Sequence, residues 1–273
     1  MGANAAAKRG QGAPPRRGEE ARGRALKVPK TSELIADWLR EHVRQARLAP
    51  GDPLPSEEDL KRRFAASRPT VREAMRILEA QQLVRITRGA TGGARYTVPD
   101  AAMVAEHTGI YLEAHGATQA DMNIARINIE PCILGFIADM ASAKDIQRLA
   151  ASAERQGSWI DDQARFSQEH ENFYAILAEI CSNLTLSMLL RILRELMHAQ
   201  MEVMGNVLMY GGAEARKGRL AHVRAKQKLA ELLRARDRDG VERWWRRHLR
   251  AQYEELAASG RGDVTLKAPR RSS

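Results

Sequence analysis

Apolar residues recur at helical spacing along most of this chain and switch to strict alternation in one short stretch. In "TSELIADWLREHVRQARL" the side chains of Ile35, Trp38, Leu39 and Val43 share one face, and "APGDPLP" ends that helix. "SEEDLKRRFAA" opens with Ser56 and carries Asp59 three residues on, which predicts a capped second helix. Ser67 is a good N-cap for a third, with Pro69 in the first turn, where a missing N–H costs little. This helix is predicted to run to about Gln81 and to bury Val71, Ala74, Met75 and Leu78. "LVRIT" and "ARYTV" then alternate around "RGATGG", the pattern of a two-stranded hairpin. Helix, helix, helix, hairpin is the order of a winged helix-turn-helix. Beyond Pro99 only helical periodicity remains. Seven helices are predicted, over 100–114, 118–140, 143–156, 160–181, 184–204, 217–235 and 238–258, with 205–217 as the longest loop. The fold class is mainly α: a winged helix-turn-helix at 30–98 followed by an all-α bundle at 99–259.

Charge sharpens that division. The chain of 273 residues has a formal net charge of +10. Residues 1–29 carry +5 and 30–98 carry +4, whereas 99–259 carry −2 and 260–273 carry +3. An anionic partner is therefore expected at the N-terminal third. Residues 1–29, rich in Ala, Gly, Pro and Arg and without periodicity, are predicted to be a disordered basic tail, and 260–273 another. The start of the chain has no apolar core of a secretory signal, and no apolar run reaches about 18 residues, so a cytoplasmic protein without membrane contact is expected. Cys132 and Cys181 have no metal-type spacing and are expected to be buried free thiols.

The third helix begins with the chemistry that double-stranded DNA calls for. A helix N-terminus offers unpaired N–H groups and a positive dipole end, and in a helix-turn-helix these early residues meet base edges in the major groove. Arg68 and Arg72, four apart, project from one face, and an arginine fork can hold guanine O6 and N7 or clamp a phosphate. Thr70 lies between them, and Arg88 and Gly89 lead into a glycine-rich wing tip. No nucleophile elbow, P-loop, zincin helix or dinucleotide fingerprint occurs, and "GATGGA" sits in a hairpin rather than between strand and helix. An enzyme is not expected.

"PGDPLPSEEDLKRRFAASRPTVREAMRILEAQQLV" closely resembles the signature of the GntR family of bacterial transcription regulators. The helical region, with "ARINIEP", "FYAILAEICSN" and "WWRRHL", resembles the FCD ligand-binding domain of the FadR subfamily, including an extra leading helix at 100–114. The resemblance implies DNA contacts from Ser67, Arg68, Thr70 and Arg72, with Arg88 and Gly89 in the wing. It implies a homodimer on a short palindromic operator, more often a repressor, modulated by a small organic acid or acyl-CoA-type ligand. Two positions depart from the family pattern. Glu58 stands where an arginine often touches phosphate, and Gln82 where a glycine usually closes the helix. FCD domains commonly hold a divalent metal with one Asp or Asn and three His. Here the matching positions carry His170, Tyr174, Lys226 and His248, so the site looks degenerate, and any zinc would rest on His170, His222 and His248. Lysine ligates poorly while protonated. The sharper expectation is that Lys226 replaces the metal's charge and, with Arg126, holds the effector's acid group, while His170, Tyr174 and His248 add hydrogen bonds. The alternative function is a ligand-independent architectural DNA-binding protein that relies on its basic tails.

Overall fold

The computed structural model describes residues 29–87, 92–203 and 212–269. The chain divides into two compact units between Val98 and Pro99.

The first unit holds α1 (Thr31–Gln45), α2 (Glu57–Phe64), α3 (Arg68–Ala80) and an antiparallel hairpin of β1 (Val84–Thr87) and β2 (Gly93–Tyr96). Ser56 caps α2 by accepting from the Asp59 N–H at 3.2 Å, and Ser67 caps α3 by accepting from the Thr70 N–H at 3.3 Å. Val71, Ala74, Met75 and Leu78 of α3 pack on Ile35 and Leu39 of α1, with Leu60 and Val84 completing the core. Trp38 and Val43 lie at its edge rather than inside it. The hairpin pairs Val84 with Tyr96 and Thr87 with Gly93. Pro53 bridges Arg95, and the Leu54 N–H donates to the Ala94 carbonyl at 2.9 Å, so the loop after α1 covers the free edge of β2.

Gln82 adopts a left-handed backbone, φ 54°, in the turn from α3 into the hairpin. A glycine-type turn is thus kept without glycine, at a conformational cost for a residue with a Cβ. Replacing Gln82 by Gly is expected to stabilise this unit by about 0.5–1 kcal/mol, net of glycine's greater freedom in the unfolded chain. Urea unfolding checks it; a loss of stability would mean that the side chain's own contacts outweigh the strain.

The second unit contains α4 (Ala101–Ala114), α5 (Gln119–Met140), α6 (Ala143–Ser158), α7 (Gln163–Ile180), α8 (Leu184–Val203), α9 (Gly212–Arg234) and α10 (Arg238–Ala258). The helix expected from 217 starts at Gly212, and the part of the expected loop at 205–211 falls outside the described residues. The most extensive packing is between α5 and α10. At Gly135 a Cβ would sit 2.4 Å from a carboxylate oxygen of Glu242, so a larger residue there would displace that side chain. Ile133, Leu134, Ile137, Phe173, Leu177, Leu229, Trp245 and Leu249 form the main core. A second cluster joins Ala105, Met122, Leu193, Leu196 and Leu266.

Two expectations need correction. Cys132 is exposed, while Cys181 is buried. Residues 260–269, expected in a disordered tail, are laid along α4, α5 and α8. The Leu266 side chain supplies an apolar anchor that composition averaged over 260–273 conceals. The rest of that tail and residues 1–28 lie outside the described residues.

Candidate functional site

Two surfaces carry chemistry, one in each unit. On the first, Arg68 and Arg72 leave the start of α3 on one exposed face, each side chain 65% accessible. Ser67 is exposed and Thr70 half-buried, their hydroxyls 2.8 Å apart. The arginines are not idle. Arg68 donates to Glu58 at 2.7 Å, and Arg72 faces Glu57 at 3.5 Å, both carboxylates on α2. Hydrogen bonds from Lys61 and then Arg68 hold the Glu58 carboxyl down to about 2, so it is ionised at every working pH. Glu58 therefore orients Arg68 where an arginine in its place would repel it. Arg88 and Gly89 lie outside the described residues.

Pattern reading missed Arg85 and Arg95, which sit directly opposite one another across the hairpin, both exposed. Like charges at facing positions destabilise a ladder, and a phosphate chain relieves that repulsion. Arg95 is steadied by donating to the Gly51 carbonyl at 2.9 Å. Only strand register reveals the pair.

The second unit holds a cavity of about 200 Å³ among α5, α7, α8, α9 and α10, open to solvent on the side of Gly218 and Glu255. Arg126, His170 and Tyr174 line it, as expected from the sequence, and so do Gln119, Asn123, Arg194, Gln200, His222 and Gln252. Arg126 donates to Glu130 at 2.6 Å, and the indole N–H of Trp245 donates to the other Glu130 oxygen at 2.9 Å, all three residues buried. Burial opposes the Arg126 charge, but Glu130 and Tyr174 more than offset it and its pKa lies above the ordinary value. Burial, then Glu130, pushes Tyr174 up, so it stays a phenol. Arg194 pairs with Glu171 and lies 5.1 Å from the centre of the Tyr174 ring. Two guanidinium groups thus reach one cavity. Gln252 donates to His248 Nε2 at 3.1 Å and approaches His222 Nδ1 at 3.5 Å, which leaves the His222 proton on Nε2. That buried Nε2 has no hydrogen-bond partner among the described residues.

Lys226 is placed differently from expectation. It is fully buried, donating to Gln156 at 2.8 Å and contacting His170 Nδ1 at 3.3 Å, with the Phe173 ring 4.5 Å away. It stands behind His170 and is not among the cavity's lining residues. Burial, then the charge of Arg194, pushes its pKa well down, toward a neutral amine. Lys226 therefore acts as a post that orients His170, and the positive charge facing the cavity comes from Arg126 and Arg194. His248 is likewise set back, reaching the cavity through Gln252.

The divalent metal implied by the resemblance finds no formed ligand set among the described residues. The His170 and His222 rings stack at 4.6 Å with 28° between their planes, and His222 and His248 lie 5.6 Å apart at 49°. Ligation needs nitrogens converging on one point about 2.0–2.1 Å from each. Here His170 Nδ1 and His248 Nε2 already face Lys226 and Gln252. Among the described residues no group of three His, Cys, Asp or Glu side chains could hold a metal ion.

Residues 31–91 match the model described as "Bacterial regulatory proteins, gntR family", and residues 121–251 match that of the FCD domain. The chain carries a GntR-type helix-turn-helix domain followed by an FCD domain. Similar curated proteins include the "HTH-type transcriptional repressor NanR" of Klebsiella aerogenes, 32% identical over 170 residues, covering 61% of this chain and 64% of that protein. The protein of the same description from Citrobacter rodentium is 32% identical over 169 residues, with the same coverage of 61% and 64%. The match thus spans just under two thirds of these relatives' length. The solved structure of Streptococcus agalactiae GntR superposes with a TM-score of 0.63 at 17% identity, covering 82% of this chain and 99% of that one, and shares the fold. No described helix is long and apolar enough to cross a membrane.

The imidazoles give the FCD domain a pH signature. Burial first, and neighbouring positive charge second, depress His170 and His222 well below 6.5 and His248 to about 4. The unfolded chain takes up protons that the folded domain refuses. The imidazoles' share of stability is therefore fully present above pH 6.5 and falls as the pH drops toward 4, by about 1.4 kcal/mol per pH unit for each such group. The midpoint of urea unfolding, followed by tryptophan fluorescence, is expected to bend downward below about pH 6.5 and fall steadily to pH 5. A flat profile would mean that the imidazoles are not held neutral.

Proposed function

We propose that the chain is an effector-responsive, sequence-specific transcription repressor of the FadR type, acting as a homodimer on a short palindromic operator. The observation that carries this reading is the union, in one chain, of an exposed helix start bearing Arg68 and Arg72 with a cavity bearing Arg126 and Arg194. The first suits a phosphate chain and base edges, the second a small anion. The leading helix α4 supports the FadR assignment. Ile110 and Tyr111 on α4 and Leu184, Met188 and Leu189 on α8 are exposed large apolar residues on two helices packed together, which supports pairing with a second copy.

Volume narrows the effector. A cavity of about 150 Å³ holds benzene, so a cavity of about 200 Å³ suits a small organic acid of roughly ten non-hydrogen atoms. A coenzyme A ester is several times larger and would extend out through the open side of the cavity. Leu190, Met197, Met201 and Leu256 line the cavity and most of its wall is apolar, so the acid's body can be apolar; Met188 is exposed, and Met204 and Met209 lie outside the described residues. Effector binding would change operator affinity by a coupling of ~1–3 kcal/mol.

The test is enrichment of bound sequences from a random duplex pool. Binding to the enriched duplex is then titrated with acetate, pyruvate, citrate, gluconate and benzoate. A palindrome should emerge, and at least one acid should lower the affinity several-fold. No sequence preference would overturn the regulator reading. A preference indifferent to every acid would favour the ligand-independent architectural alternative.

A further inference from the structure

We propose that the C-terminal segment Gly262–Pro269 is a working part of the effector site: a strap that positions Gln200 and Gln119 at the cavity and fastens α4 to that wall. This rests on the reading of the cavity as the effector site.

The strap is tied by main-chain bonds. The first two N–H groups of α5, which have no partner within the helix, donate to it: Gln119 to the Val264 carbonyl and Ala120 to the Gly262 carbonyl, both at 2.9 Å. Thr265 bridges Thr118, and the Leu266 N–H donates to the Ala117 carbonyl at 2.8 Å. The Leu266 side chain, 2% exposed, packs among residues of α4, α5 and α8.

Lys267 then grips one side-chain amide at both ends. Its N–H donates to Gln200 Oε1 at 2.9 Å, and its carbonyl accepts from Gln200 Nε2 at 2.7 Å. The same Oε1 accepts from Gln119 Nε2 at 2.9 Å. Gln119 and Gln200 are 2% and 1% exposed, and both line the cavity. On its other side the strap holds α4. Glu113 accepts from Lys267 Nζ at 2.8 Å and from the Ala268 N–H at 3.0 Å. At Gly109 of α4 a Cβ would lie 2.6 Å from Pro269 Cδ and 2.9 Å from Ala268 Cα, so only glycine admits this approach.

One amide, Gln200, therefore faces the ligand space and is bonded to the segment that anchors α4. Its oxygen is shared between the Lys267 N–H and Gln119 and its nitrogen between the carbonyls of Lys267 and Leu196, so a ligand that draws this amide toward itself works against the bonds to the strap. Helix α4 begins three residues after Val98, the last residue of the DNA-binding unit. Occupancy of the cavity and the anchoring of α4 are linked through a segment of eight residues.

The test is amide hydrogen exchange on the full chain, without DNA or ligand, so its failure and the failure of the regulator reading are separate outcomes. Lys267→Pro removes the N–H given to Gln200, whereas Lys267→Ala keeps it. Gln200→Ala breaks the clamp from the cavity side. Leu266→Ser removes the apolar anchor, and Leu266→Met restores it. Lys267→Pro, Gln200→Ala and Leu266→Ser should each speed exchange in α4 and in the strap together by roughly tenfold or more, with α6 and α7 unchanged. Leu266→Met should stay near the parent, and Lys267→Ala, which loses only the exposed ion pair with Glu113, should loosen α4 far less than Lys267→Pro. Faster exchange confined to the strap, with α4 unchanged in Gln200→Ala, would overturn the proposal. So would a Lys267→Ala variant as loose as Lys267→Pro, since the side chain would then be the anchor. Should Lys267→Pro disturb α6 and α7 as well, the Gln200→Ala measurement on α4 decides.

Discussion

Replacing Arg68 by alanine is expected to weaken binding to the operator by roughly 5- to 150-fold, or ~1–3 kcal/mol, and to relax preference at the base pair it faces. The guanidinium leaves the first residue of α3, where the helix end adds its own attraction for phosphate. Its partner Glu58 makes the prediction richer. In the protein alone Glu58 holds Arg68 at 2.7 Å and Lys61 at 2.9 Å, and it is ionised throughout the working range. An exposed pair of this kind adds little stability, yet on a duplex its carboxylate stands near phosphates. Glu58→Gln should therefore strengthen binding a few-fold at low salt and less at high salt, because the repulsion it removes is screened. Fluorescence anisotropy on the enriched duplex at two salt concentrations reads both effects. Operator affinity unchanged in Arg68→Ala would remove this residue from the interface, and weaker binding in Glu58→Gln would show that orienting Arg68 matters more than the repulsion.

The largest change in folding stability is expected from Arg126→Met. The Arg126 and Glu130 side chains are 8% and 4% exposed, and Trp245 donates to the same carboxylate. Removing the arginine strands a carboxylate in the core, which costs about 3–5 kcal/mol. The double variant Arg126→Met, Glu130→Gln should recover most of that loss, since a neutral amide still accepts from the indole and no charge is left unpaired. Urea unfolding of the four proteins in this cycle makes the comparison. A single variant within about 1 kcal/mol of the parent would show that water reaches Glu130. Both variants should be unresponsive to any acid that releases the parent from DNA, because Arg126 is one of the two guanidinium groups at the cavity.

These two arginines also mark how far local pattern reading reaches. Arg68 was legible from a cap, a proline and a spacing of four, all within one turn of helix. Arg126 was legible through the motif that contains it. Arg194, Gln119, Gln200 and Gln252 were not, because they come from three helices far apart in sequence and share no motif. Each reads by itself as an ordinary polar residue in a helix. Lys226 misled for the converse reason: its position in the pattern placed it at the ligand, but which side of His170 it occupies depends on the packing of α6 and α7 against α9. Arg85 and Arg95 became a pair only once the hairpin's register was known.

Hydrophobic periodicity, caps and the one alternating stretch, all local properties of the chain, determined by themselves the order of helices and hairpin, the division near Val98 and the exposed basic start of α3. Tertiary structure alone decided the cavity, the cluster of stacked histidines at its wall, and the strap formed by residues that composition assigns to a loose tail. Spacing within a helix is set by backbone geometry over a few residues. Which distant side chains meet, and which become neutral by burial, is set by how whole faces pack and exclude water.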